Sequence, residues 1–126
     1  MRIVKSVQTK VCVDGSLMKE FVLDEPLTAG FLTFLESFGT LKRFPHMKRP
    51  YFSFEQENVI SLKGFEGDTN VEVRYRMEFR DLTNDYFHLL LFYYRDGESG
   101  TRKMKKIEES IREKIRSRLH KRGDLQ

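Results

Sequence analysis

Alternating apolar and polar side chains predict a β-hairpin at the start of the chain. Residues 2–13 place apolar or β-branched side chains at most alternate positions, and residues 17–23 repeat this period of two. The sequence Asp14-Gly15-Ser16 between the two segments is typical of a tight turn. The same alternation predicts three later strands, at residues 51–56, 59–63 and 71–80.

The longest apolar run lies at residues 85–96 and reads Asp-Tyr-Phe-His-Leu-Leu-Leu-Phe-Tyr-Tyr-Arg-Asp. Its aromatic residues and the turn-forming residues around it favour a buried strand over a segment of helix. We therefore expect residues 71–80 and 85–95 to form a second hairpin, joined by a loop at 82–84. A loop one residue longer would exchange the two faces of this hairpin, so the sequence leaves its register open.

Apolar residues at spacings of three and four predict two helices. The first covers residues 27–38, with Asp24 as its N-cap and Gly39 as its stop signal. The second is the basic C-terminal helix, at about residues 101–122. Its apolar stripe consists of Met104, Ile107, Ile111, Ile115 and Leu119. A stripe this narrow predicts a helix that rests on the surface of the fold.

The element order β-β-α-β-β-β-β-α predicts an α+β fold. We expect a single antiparallel β-sheet of about six strands, packed on the helix at 27–38, with the C-terminal helix closing an edge or a face. A chain of 126 residues fits one domain. The element order resembles those of helix-grip ligand-binding folds and of the halves of the TATA-binding protein. Element order alone carries no function to this chain.

The net charge of +4 is unequally distributed. Residues 101–122 contain ten Lys or Arg and three Glu, a local charge of +7, which leaves −3 for the rest of the chain. Such a helix can dock on phosphates, and it can also be a solvated face that balances an acidic body. Our first hypothesis is a binding domain for nucleic acid or another polyanion that uses this helix and the basic link at residues 40–50. The expected contacts are Lys42, Arg43, Lys48, Arg49, Lys105, Lys106, Arg112, Arg116 and Arg118.

The expected strand at residues 85–95 would carry aromatic side chains on its outer face, beside arginines of the strand before it. Arginines and aromatic rings together bind single-stranded nucleic acids, whereas exposed apolar patches mark protein interfaces. Because the stripe of the C-terminal helix is too narrow to cover this face, we expect a homodimer. The expected dimer face consists of Arg74, Arg76, Tyr86, Leu90, Phe92 and Tyr94.

An alternative function is the binding of a small apolar ligand. A curved sheet that grips the first helix could leave a cavity, although protein interiors are normally close-packed. The cavity would be lined by Phe31, Phe34, Tyr75, Met77, His88 and Phe92.

Several classes of protein are disfavoured by the composition. A single cysteine, Cys12, excludes an intramolecular disulfide and a Cys-based zinc finger, and the three histidines are too dispersed for a metal site. We expect no cofactor.

No apolar run approaches the roughly 20 residues that span a bilayer, and the N-terminus lacks a signal-peptide core, so we expect a cytoplasmic protein without a membrane partner. No catalytic constellation supports an enzyme. Scarce Asn and Gln beside abundant Lys, Arg and Glu resemble a thermophile's composition.

Overall fold

The computed structural model describes residues 1–121, except for the side chains of Gln8, His120 and Lys121. Its six strands are β1 (Ile3–Val11), β2 (Ser16–Leu23), β3 (Thr40–Phe44), β4 (Tyr51–Gln56), β5 (Ile60–Phe65) and β6 (Asn70–Arg76). They form one antiparallel sheet in the order β1-β2-β6-β5-β4-β3. The predicted α+β fold with a single antiparallel sheet of about six strands is therefore confirmed.

The helices pack on one face of this sheet. They are α1 (Ala29–Glu36), α2 (Arg80–Tyr94) and α3 (Gly97–Lys121), and a 3₁₀ turn at Met77–Phe79 leads into α2. Strands β2, β4, β5 and β6 bury alternate side chains beneath the helices. On β2, for example, Phe21 stacks on Phe87 of α2 with ring centroids 5.8 Å apart. The core therefore lies between the sheet and the helices.

The strand predicted at residues 85–95 is wrong, because residues 85–94 belong to α2. The side chains that α2 buries recur at helical spacing, namely Thr83, Tyr86, Phe87, Leu90 and Leu91. Leucine also favours helix over strand. The second hairpin and its two faces consequently do not form. The turn-like residues 82–84 lie inside the helix.

The basic link at residues 40–50 supplies a strand that the sequence analysis did not predict. Its first part, Thr40–Phe44, is β3 and pairs with β4, with Leu41 opposite Phe54. An edge strand pairs on one side only and can be short and charged, which makes this polar sequence acceptable. The sheet thus retains six strands, although one of them differs from the prediction.

The first helix begins later than expected. Its N-cap is Thr28, whose hydroxyl accepts a hydrogen bond from the Phe31 N–H at 3.1 Å. Asp24, the expected cap, instead accepts the N–H of Arg2 at 2.8 Å. Gly39 lies where the chain enters β3, and a β-carbon there would overlap the Glu55 carbonyl oxygen.

The C-terminal helix α3 carries the predicted apolar stripe. Met104, Ile111, Ile115 and Leu119 are buried, and Ile107 packs at the margin of the core. The helix begins at Gly97, before the predicted start at residue 101. Its predicted end at residue 122 lies outside the described residues.

Candidate functional site

One face of the sheet is covered by the helices. The opposite face, which we call the open face, meets no helix of the described chain. Successive side chains of a strand point to opposite faces, so the residues between buried positions lie on the open face. On β2 and β6 these side chains are half-buried among their neighbours. Strand pairing arranges them in rows that cross the sheet.

Three aromatic side chains form a row at one end of the open face, and we call them the aromatic row. Phe44 lies opposite Tyr51, and Tyr51 lies opposite Phe65. The ring centroids are 5.7 Å apart in the first pair and 5.3 Å apart in the second. The Phe44 side chain is 41% exposed, so its ring is accessible to a binding partner.

Arg49 stacks on the aromatic row. Its guanidinium lies 4.6 Å from the centroid of the Phe65 ring and donates a hydrogen bond to Asp68 at 3.0 Å. Burial raises the pKa of Asp68, but hydrogen bonds from the Asn70 N–H and from Arg49 outweigh this effect and hold the pKa below its usual value. An ionised Asp68 therefore keeps Arg49 over the ring.

A polar row crosses the open face beside the aromatic row. Lys42 lies opposite Ser53, which lies opposite Lys63. Further along the row, Glu72 lies between Lys63 and Glu20. Like charges directly opposite each other repel, and Lys63 offsets the repulsion between the two glutamates. The part of the open face formed by β3, β4 and β5 is therefore its basic part.

At the other end of the open face, the sheet splits and forms a cleft of about 790 Å³. The pairing of β5 with β6 ends at Ser61 and Arg74, whereas β6 continues beside β2 as far as the pair Arg76–Ser16. The cleft opens between β5 and β6 beyond that point. It is bounded by the turns of the β1–β2 and β4–β5 hairpins.

A buried polar network lies at the floor of the cleft. Gln56 is 2% exposed, and its Nε2 donates a hydrogen bond to the hydroxyl of Tyr86 at 3.0 Å. Burial raises the pKa of Tyr86, which keeps this hydroxyl neutral. Within residues 1–121, three residues that line the cleft have a buried polar atom without a hydrogen-bond partner: Gln56 Oε1, Arg74 Nε and Tyr75 Oη. An unpaired buried polar group costs about 1–3 kcal/mol.

The structure separates the basic residues that the sequence analysis grouped. In the link, Lys42 lies on the open face, Arg49 lies on the aromatic row, and Lys48 is exposed between β3 and β4. Arg43 points to the helix side, where its guanidinium lies 3.5 Å from Glu36 of α1. Because α3 also lies on the helix side, the link and the helix do not form one surface.

Most of the α3 cations named as phosphate contacts have partners within the chain. The pairs are Lys105 with the Ser37 carbonyl and the Phe38 ring, Arg112 with Glu108, Arg116 with Glu113, and Arg118 with the Phe79 ring. Lys106 is exposed. These contacts make α3 a poorer candidate for the interface than the open face.

The expected dimer face is not assembled, because residues 85–94 are helical. Tyr86 and Leu90 are fully buried in α2. Tyr94 packs on α1, with its ring centroid 5.1 Å from that of Phe31. The other members lie apart, with Phe92 53% exposed on α2 and with Arg74 and Arg76 on the open face.

The residues expected to line a ligand cavity also lie apart. Phe31, Phe34 and Tyr75 are buried, whereas His88 and Phe92 are exposed on α2. Tyr75 does line the cleft, together with half-buried Met77. Residues in these two environments do not line one cavity.

The aromatic row and Lys63 were missed by the sequence analysis. A signal was present in β4, where Tyr51 and Ser53 alternate with the buried Phe52 and Phe54. This alternation predicts the strand but does not show which neighbouring side chains share its exposed face. The pairing partners of Tyr51 belong to β3 and β5, and β3 lies in the basic link, which was expected to be a loop or an irregular edge.

No family model matches the chain, and searches of curated proteins and of solved structures found no match. Among the described residues, no helix is long and apolar enough to cross a membrane. The described part of residues 1–121 also contains no group of three or more His, Cys, Asp or Glu side chains that could hold a metal ion.

Proposed function

We propose that the protein binds single-stranded nucleic acid on the basic part of its open face. The observation that carries this proposal is the aromatic row, Phe44, Tyr51 and Phe65, beside a row that contains Lys42 and Lys63. Proteins bind single strands by stacking bases on aromatic rings and by placing cations along the phosphates.

The spacing of the two rows supports this proposal. Lys42 and Phe44 are two residues apart along β3, which corresponds to about 7 Å. A nucleic-acid strand whose bases stack on the aromatic row would carry its phosphates along the polar row, beside Lys42 and Lys63. Each stacked base contributes about 1–3 kcal/mol.

The remaining charge assists binding at longer range. The positive charge of α3 raises the potential around the whole domain and thereby speeds the encounter with a polyanion. We propose the cytoplasm as the location, which suits a nucleic-acid partner and the free thiol of Cys12.

The first test is fluorescence anisotropy with labelled single-stranded oligonucleotides at low salt. We expect micromolar binding, and we expect Phe44→Ala to weaken it by about 5- to 150-fold, which corresponds to the loss of one stacked base. Phe92→Ala is the matched control, because Phe92 is comparably exposed but lies on α2 in the helix layer. Absence of binding at low salt to both DNA and RNA would refute the proposal.

The second test separates the open face from α3. Lys42→Ala should reduce the salt dependence of binding by about 0.7 in the log–log slope, the value for one phosphate contact on a single strand. Lys106→Ala removes an exposed lysine from α3 and should leave the slope unchanged. The reverse result would move the interface to the helix.

We also propose that the protein forms a homodimer, through β1 instead of the face expected from the sequence. In the described structure β1 is an edge of the sheet, and its Val4, Val7 and Val11 are 62%, 51% and 60% exposed. An edge strand of nine residues with exposed valines is a template for pairing with a second copy. Val11→Lys should give a monomer in light scattering, whereas Val13→Lys, beyond the strand, should not. A monomeric parent protein would contradict this.

A further inference from the structure

The charges that line the cleft are balanced. Three arginines face three acidic residues, and the set is Arg74, Arg76, Arg80, Asp14, Glu55 and Glu78. Two of the acids are engaged: Asp14 accepts the hydroxyl of Ser16 at 2.6 Å, and Glu78 lies 2.9 Å from Arg76. An inorganic phosphate in the cleft would meet carboxylates as well as guanidinium groups, so the cleft does not favour a free anion.

The cleft also contains apolar surface and unsatisfied polar atoms. Val59, Ile60 and Met77 contribute apolar side chains. A purely apolar ligand would leave the polar atoms at the floor unpaired. A neutral, planar molecule with donors and acceptors along its edge satisfies both requirements. Purine and pyrimidine bases have this chemistry, and arginine and glutamine side chains bind their edges.

We propose that the cleft binds one nucleobase of the strand that lies on the open face, an inference that rests on the proposed function. Gln56 Oε1 accepts a hydrogen bond from an exocyclic amino group of the base. Arg74 Nε and the Tyr75 hydroxyl donate to a ring nitrogen or a carbonyl oxygen. Because all three atoms are buried, binding requires the side chains that carry them to shift toward the base.

The position of the cleft fits this role. Glu55 and Ser61, which line the cleft, lie four residues along β4 and β5 from Tyr51 and Phe65. This separation corresponds to about 13 Å, so one extended nucleic-acid strand can reach both the aromatic row and the cleft. The aromatic row accepts any base, since every base has a flat face. The cleft, with directional hydrogen bonds, would then determine the sequence preference.

The first measurement uses free ligands and NMR. The four nucleosides and inorganic phosphate are titrated separately into the full chain, and the amide signals of Ser61, Arg74 and Arg76 are followed. We expect at least one nucleoside to shift these signals and inorganic phosphate to leave them in place. A stronger response to phosphate, or no response to any nucleoside, would overturn the inference.

The second measurement uses a matched pair of variants that each remove one hydroxyl. The affinities for four homopolymeric oligonucleotides are compared for the parent chain, Tyr75→Phe and Tyr93→Phe. We expect Tyr75→Phe to reduce the ratio between the best and the weakest homopolymer by about tenfold. Tyr93, on α2, is half-buried away from the cleft, so its variant should keep the ratio. An unchanged ratio in Tyr75→Phe would overturn the inference.

The two proposals fail in different ways. If nucleosides shift the cleft signals but no oligonucleotide binds, the open-face proposal fails and the cleft is a site for free nucleosides. If oligonucleotides bind and shift the signals of Tyr51 and Phe65 while the cleft amides stay unchanged, only the inference about the cleft fails.

Discussion

Replacing Tyr86 by phenylalanine tests the buried polar network directly. Tyr86 is fully buried, and its hydroxyl accepts the Nε2 hydrogen of Gln56. Tyr86→Phe keeps the ring but leaves both ends of the Gln56 carboxamide unpaired, since Oε1 already has no partner in the described chain. A buried group deprived of its partner costs about 1–3 kcal/mol, and we expect the upper half of this range.

The assay is urea denaturation, in which the midpoint should fall while the m-value stays constant. Adding Gln56→Leu to Tyr86→Phe removes both polar groups and should recover part of the lost stability, because exchanging both partners for apolar groups is nearly neutral. Tyr94→Phe is the matched control, because its hydroxyl bonds Thr28 near the surface and its removal should cost less. A double variant as unstable as the sum of the single variants would refute the network.

Three further predictions concern stability. Burial raises the pKa of Tyr86. The contribution of its neutral hydroxyl to the free energy of unfolding is therefore intact below about pH 10, the usual pKa of tyrosine, and is lost as the pH rises beyond it. Tyr86→Phe should flatten this alkaline decline in stability, measured by urea titrations at several pH values. Leu90→Ala should cost about 2–5 kcal/mol and Phe92→Ala less than about 0.5 kcal/mol by the same method. Equal costs would contradict the burial of Leu90 and the exposure of Phe92. Gly39→Ala should cost about 1–3 kcal/mol in thermal unfolding, because the new methyl group meets the Glu55 carbonyl; an unchanged melting temperature would contradict this contact.

The parts of the fold that depend on local pattern could be predicted. The first hairpin follows from alternation around a tight turn, and the stripe of α3 follows from its helical spacing. Both elements have one buried face and one exposed face, so the period of the apolar residues identifies them. The same holds for α1 to within a few residues at each end.

Residues 85–96 could not be predicted in this way, because α2 is covered on more than one side. It packs on β2 through Phe87, on α1 through Tyr94, and on α3. Its half-buried residues, such as Leu89, fill the gaps between its fully buried ones. An apolar run without a clear period fits a strand and a helix equally well, and only the tertiary neighbours decide.

The candidate site depends on strand pairing, which local pattern does not determine. Alternation shows which side chains of one strand share a face, but it does not show which strand lies beside it. The row that joins Lys42 to Glu20 crosses β3, β4, β5, β6 and β2. The cleft exists because β5 and β6 separate before β6 and β2 do, which is a property of the assembled sheet.

The order of the strands has a consequence for how the chain folds. Strands β3 to β6 form a meander in which each strand pairs with the next, and β1 pairs with β2 in the same way. The two groups meet at a long-range junction, where Phe21 of β2 lies opposite Val71 of β6. Pairing β2 with β6 closes a loop that contains α1 and strands β3 to β5. Closing so long a loop is a slow step in β-sheet folding.

During synthesis, β2 is made well before the strand that pairs with its second edge. Until β6 leaves the ribosome, that edge of β2 stays open, and Leu17 and Phe21 lack their neighbours Tyr75 and Val71. We expect this interval to be the time of greatest risk of aggregation. Substitutions that weaken the β2–β6 junction should therefore slow folding more than substitutions within the β1–β2 hairpin or within the β3–β6 meander.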